Sequence, residues 1–152
     1  MPTHEYFMQL AIREAKKAYA KGETPVGAVI VKDGKVVAKA HNRRETRQDA
    51  LCHAEITAIR RACRRLRSWR LIGCAMYVTL EPCAMCAGAA IQARISSVRF
   101  GAYDKKAGAA GSLLDLFGQE GLNHKVEYSG GLMEEQCGEL LSEFFAGLRT
   151  KK

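Results

Sequence analysis

The chain has 152 residues, 47% hydrophobic and 26% charged, with three prolines and no repeated or low-complexity segment; this predicts one soluble domain over residues 1–152 and excludes disordered and fibrous classes. The start, Met1 to Glu5, lacks the basic-then-apolar pattern of a secretory signal, and the longest nearly uncharged run, Gly73 to Leu80, is too short to span a bilayer, so a cytoplasmic protein with no membrane association is expected. A net charge of +8 points to an anionic partner, with basic residues bunched at Arg43, Arg44 and Arg47, at six arginines between Arg60 and Arg70, at Lys105 and Lys106, and at Arg149, Lys151 and Lys152; single clusters also read as solvated faces.

Residues 3–21 carry Phe7, Leu10, Ala11, Ala15 and Ala18 at helical spacing, with Thr3 as N-cap and Gly22 beyond the end. An apolar, β-branched run follows at 25–31, then Asp33-Gly34 and a second run at 36–40, the pattern of a β-hairpin. His41 reads as structural or surface, and Asn42 as a turn former whose side chain also suits binding. A second helix is predicted over 53–66, with Ile56, Ile59, Ala62, Cys63 and Leu66 inward and arginines over much of the rest.

Residues 75–80 form a buried-strand pattern that runs into Glu81-Pro82-Cys83. A small-residue helix is predicted over 83–93, and a fourth strand over 97–101. The stretch 107–112 is glycine-rich but lacks the lysine and spacing of a P-loop; 113–117 reads as a short helical turn, 125–129 as a fifth strand and 134–148 as a closing amphipathic helix. Strands alternating with helices, with one hairpin, predict an α/β fold around a mixed sheet.

Without an export signal, the six cysteines read as free thiols or metal ligands; Cys52, Cys63, Cys74 and Cys137 lack ligand spacing and read as small apolar residues. Cys83 and Cys86 stand three apart after a proline at a helix start, where the dipole and free N–H groups favour thiolates. His53 opens the other helix. Two thiolates and an imidazole suit zinc, and three protein ligands leave a fourth position open, as in catalytic sites. Glu55, two residues past His53, is then placed for general acid–base work on water in that position. A structural zinc would instead need a fourth ligand from Cys52, Cys63, Cys74 or His124.

The order His53-Ala54-Glu55, then Pro82-Cys83-Ala84-Met85-Cys86, resembles the zinc-dependent nucleoside and nucleobase deaminases, a signature that is itself a standard worked case of base deamination. Pro25 to Val29, Thr79 to Cys83, Gly108 to Asp115, Asn123 to Val126 and Leu141 to Phe145 extend the resemblance to the tRNA-specific adenosine deaminases, over nearly the whole chain. That resemblance implies a three-layer α/β/α cytidine-deaminase-like fold with a five-stranded mixed sheet, and a homodimer. It implies one zinc per subunit on His53, Cys83 and Cys86, with Glu55 as proton shuttle. It places Asn42 against a flipped nucleotide, Pro25, Val26 and Gly27 at the pocket wall and Ala54 near the base. Asp104 falls at the RNA backbone, and Phe144 and Phe145 in a helix approaching the anticodon loop.

The reaction implied is hydrolytic deamination of adenosine to inosine at the tRNA wobble position: water activated at zinc attacks C6, and Glu55 protonates N1. Two other readings share the zinc residues: a deaminase of a free guanine- or cytosine-type base, nucleoside or nucleotide, and a zinc-stabilised RNA-binding module without activity. The positive charge and the segment Ala107 to Asp115 favour the RNA substrate.

Overall fold

A computed structural model describes residues 2–150; Lys151 and Lys152 of the C-terminal basic cluster lie outside the described residues. The elements are α1 (His4–Ala20), β1 (Gly27–Lys32), β2 (Lys35–His41), α2 (Arg44–Arg47), α3 (Ala54–Leu66), β3 (Cys74–Leu80), α4 (Ala84–Gln92), β4 (Ser97–Ala102), β5 (Glu127–Ser129) and α5 (Glu134–Thr150). The sheet order is β2-β1-β3-β4-β5. The strand β1 is antiparallel to both β2 and β3, whereas β3, β4 and β5 run parallel, so the sheet is mixed as expected.

Alternation along the central strands explains the three layers. In β1, Ala28 and Ile30 face a core shared with Ala54, Ala58 and Ala62 of α3 and Ala87, Ala90 and Ile91 of α4. Val29 and Val31 face the opposite core, with Phe7, Met8, Ala11 and Ile12 of α1 and Cys137 of α5. Both faces of the sheet are covered, which is why β1 and β3 read as continuous apolar runs rather than alternating ones. On the α1 side the approach is close: a Cβ at Gly27 would overlap the backbone of Ala11 and Ala15, so only glycine fits there.

The hairpin turns as its sequence predicts, with Asp33 and Gly34 both at positive φ, 52° and 73°. Elsewhere local expectations are corrected. Residues 113–117 are not helical; they form a bend in which Asp115 bridges back to Ala110, because backbone bonds from Leu113 and Leu114 to the Gly108 carbonyl, and from Leu116 to Ala109, fold the segment onto the preceding loop. The short helix α2 follows Asn42 without a sequence signal, because a distant carboxylate, that of Glu23, caps its first turn. The fifth strand is shorter than predicted, covering only Glu127–Ser129.

This topology gathers chain ends at one edge of the sheet. The residues before β1, after β2, after β3 and after β4 all emerge together, since Gly27 pairs with His41 and Leu80 with Ala102. The carboxyl ends of parallel strands are where α/β sheets bind ligands.

Candidate active site

His53 and Cys83 are the N-cap residues of α3 and α4, both with extended backbone, φ −78° and −75°, and neither side chain caps its own helix. Freed from capping, they turn toward each other. Cys86, in the first turn of α4, completes the group. His53 Nδ1 lies 3.8 Å from Cys83 Sγ and 3.6 Å from Cys86 Sγ. Bond lengths of roughly 2.3 Å to sulfur and 2.0–2.1 Å to nitrogen around a tetrahedral zinc place sulfur and nitrogen about 3.6 Å apart, so the donor set fits that ion in chemistry and spacing.

Among the described residues, only these three form a metal-ligand cluster. Side chains that a structural zinc would have needed are engaged elsewhere: His124 Nε2 lies 2.7 Å from the Ile95 carbonyl, Cys52 Sγ faces the Thr57 hydroxyl, and Cys63 Sγ faces the Trp69 carbonyl. All six cysteines are free. Among the described residues, no fourth His, Cys, Asp or Glu ligand atom joins this cluster.

Electrostatics favour a cation. The Cys86 thiol donates to Cys83 and, against the effect of burial and with help from His53, pulls the Cys83 thiol down to about 4. The same contact and burial push the Cys86 thiol up. A divalent cation bound by both would favour the thiolate form of each sulfur. The contact with Cys83 also raises His53, against burial.

Glu55 lies in the first turn of α3 and is only 4% exposed. Burial dominates its environment and pushes its carboxyl up to about 7, with the negative Cys83 adding to the shift while His53 opposes it. A carboxyl poised near neutrality can both take up and release a proton at physiological pH.

The cluster opens into a cavity of about 210 Å³ lined by Val26, Asn42, Ala54, Glu55, Asp104 and Ala107, among others. This is below the roughly 300–1,000 Å³ of a drug-sized pocket and nearer the scale of one base. Of the residues singled out in the sequence, His53, Cys83, Glu55, Asn42, Val26, Ala54 and Asp104 line it. Cys86 is buried, as are Pro25 and Gly27 on either side of Val26, and these three are not among the lining residues. Asn42 is held in place on both sides: its Oδ1 accepts the Arg44 N–H at 3.2 Å, an Asx turn, and its Nδ2 donates to the Thr24 carbonyl at 3.2 Å. The residue that makes this turn also lines the cavity.

Phe145 lies outside this cavity, on a groove of about 900 Å³ that shares Thr24, Arg44, Leu80, Asp104 and Ala107 with it. Phe144, its neighbour in α5, is buried against Tyr19 instead. Tyr103, Lys105, Lys106 and Arg149 also line the groove. Arg44, Lys105 with Lys106, and Arg149, drawn from three of the four basic clusters, therefore line the groove that shares the mouth of the cavity.

Two residues of this region are not apparent from sequence: Glu23 and Glu81, 1% and 2% exposed. Burial alone would raise both carboxyls, but hydrogen bonds outweigh it and hold them below 4.5. Glu23 accepts from the Glu45 and Thr46 N–H groups and the Thr46 hydroxyl, while Glu81 accepts from the loop after β4. The only sequence signal is a carboxylate just before each apolar or proline-led segment.

Comparison with known proteins agrees with this geometry. Residues 1–102 match the cytidine and deoxycytidylate deaminase zinc-binding region. A tRNA-specific adenosine deaminase of Bacillus subtilis (strain 168) is 51% identical over 152 residues, covering 100% of this chain and 94% of that protein. A solved structure from biochemical and structural studies of A-to-I editing by tRNA:A34 deaminases at the wobble position of transfer RNA has a TM-score of 0.86 at 45% identity, covering 90% of this chain and 99% of that one. A guanine deaminase structure from Bacillus subtilis has a TM-score of 0.66 at 35% identity, covering 97% and 95%. Sharing that zinc-binding region and aligning end to end with these relatives, the chain belongs to the cytidine and deoxycytidylate deaminase family, in the branch of the tRNA-specific adenosine deaminases.

Proposed function

We propose that the protein deaminates adenosine to inosine at the wobble position of tRNA, acting on the anticodon stem-loop. The observation that carries this reading is the continuity between a base-sized cavity and a basic, partly aromatic groove bearing Arg44, Lys105, Lys106, Arg149, Tyr103 and Phe145. Cations there suit phosphates, and the rings suit unstacked bases of a loop. A free nucleobase needs only the cavity.

His53, Cys83 and Cys86 would hold one zinc ion per subunit. Bound there, zinc acts as a Lewis acid and lowers the pKa of water to about 7. Glu55 does the proton work: it takes a proton from the attacking water and gives it to N1 of adenine, then moves a proton to the departing amino nitrogen. Water and adenosine thus become inosine and ammonia. Asn42 offers its amide to the target nucleotide from a fixed orientation. Val26, backed by Pro25 and Gly27, and the main chain at Ala54 keep the flipped base edge-on to the metal cluster. Asp104 and Phe145 meet the RNA outside the cavity.

We further propose that the whole chain works as one domain, in a cytoplasmic homodimer. Exposed leucines at Leu51, Leu113 and Leu114 supply apolar surface for a second copy. No helix among the described residues is long and apolar enough to cross a membrane.

A second reading, deamination of a free purine such as guanine, is favoured by the 35% identical guanine deaminase structure. Supplying the zinc-loaded protein with an anticodon stem-loop, adenosine and guanine in parallel separates the two: the tRNA reading predicts turnover of the stem-loop, and rapid turnover of guanine or free adenosine with an inert stem-loop replaces it.

A further inference from the structure

Glu81 is the residue between the end of β3 and the metal-binding turn, and it is almost fully buried, yet no cation pairs with it among the described residues. Its charge is met by donors from a single distant loop. Oε1 accepts the Asp104 N–H at 3.0 Å and the Ser112 hydroxyl; Oε2 accepts the Ala110 N–H at 2.9 Å and the Ser112 N–H at 3.1 Å. One carboxylate thereby fastens both ends of the segment 104–112. Gly108, in the middle of that segment, packs so closely on the carboxyl that an added Cβ would overlap it.

The fastened loop does two things at once. Asp104 and Ala107 form a wall of the cavity, while Lys105 and Lys106 line the outer groove. We propose that Glu81 is the positioning residue that holds this loop as the shared wall of the base cavity and the RNA groove, and so sets how well the enzyme engages RNA. This role rests on the tRNA reading above for its substrate. Acceptor count is what singles out a carboxylate here. It offers two oxygens with about four lone-pair sites, all used; an amide of the same shape offers one oxygen and would turn an NH₂ toward N–H donors. A neutral isostere keeps the bonds of one oxygen at most and loses those of the other, so the loop is held by fewer bonds.

The test compares zinc-loaded wild type, Glu81→Gln and Ser112→Ala for metal content, steady-state kinetics on an anticodon stem-loop, and amide hydrogen exchange. In Glu81→Gln the amides of Asp104, Ala110 and Ser112 exchange faster while the β3–β4 ladder stays protected, metal content matches wild type, and KM rises about tenfold, more than kcat falls, on the scale of removing a buried hydrogen bond to a charge. Ser112→Ala, which removes one donor from the loop side, moves the same readouts less far. Unchanged exchange at the three amides, or unchanged KM with a uniform rise in exchange across the sheet, overturns the proposal, the latter because it marks a role in fold stability alone. If Glu81→Gln loses its metal or does not fold, Ser112→Ala decides: normal loop protection and normal KM overturn the proposal. If wild type makes no inosine in the stem-loop, the tRNA reading fails, while the exchange data still decide whether Glu81 holds the loop.

Discussion

Glu55 shows most clearly how placement makes chemistry. The same carboxyl on an exposed helix would be an ordinary anion; only 4% exposed beside a thiol pair, it is pushed up to about 7. Replacing it with alanine is expected to leave zinc content intact and lower turnover by roughly 10²–10⁴-fold or more, the usual scale for a general acid–base. Metal analysis and inosine assay on one preparation check this; turnover within a few-fold of wild type would remove Glu55 from the mechanism. His53, Cys83, Cys86 and Glu55 were legible in the sequence because their spacing at two helix starts has a chemical meaning of its own. Glu81 and Glu23 were not, since their partners are main-chain N–H groups from far along the chain, and a backbone donor leaves no mark on the residue letters.

At the scale of elements, local signals worked where local physics decides. The Asp33-Gly34 turn, the Thr3 cap of α1 and the apolar runs of β1 and β3 formed as expected. They failed where a distant residue decides: α2 forms because Glu23 caps it, and 113–117 bends because its amides bond to Gly108 and Ala109. The capping of α2 carries a pH signature. Glu23 is held below 4.5 in the folded protein, so its contribution to stability is present above pH 4.5 and is lost as pH falls through the lowered value. Glu23→Gln is therefore expected to cost about 1–3 kcal/mol at pH 7, the range for a disrupted buried hydrogen-bond set, and progressively less below pH 4.5. Urea denaturation across that range measures it; a difference that does not change with pH contradicts the capping role.

For the molecule as a whole, the basic clusters separate by place. Arg44, Lys105, Lys106 and Arg149 converge on one groove, whereas Arg60, Arg61, Arg64, Arg65 and Arg67 are spread over the exposed side and end of α3. Composition exposed the excess charge, but only folding brings Arg44, Lys105 and Arg149 together. Neutralising Lys105 and Lys106 together is expected to weaken RNA binding and to flatten its logarithmic salt dependence by about 0.7 for each phosphate no longer engaged. Neutralising Arg64, Arg65 and Arg67 gives the comparison, and an effect at least as large from that set would move the RNA path onto α3. The most direct measurement is inosine formation at the wobble position of an anticodon stem-loop incubated with the purified, zinc-loaded protein. Inosine at that adenosine, formed by Glu55→Ala more slowly by roughly 10²–10⁴-fold or more, is the expected result. A stem-loop left unedited by wild-type protein that rapidly deaminates free guanine or adenosine would contradict a tRNA-editing function.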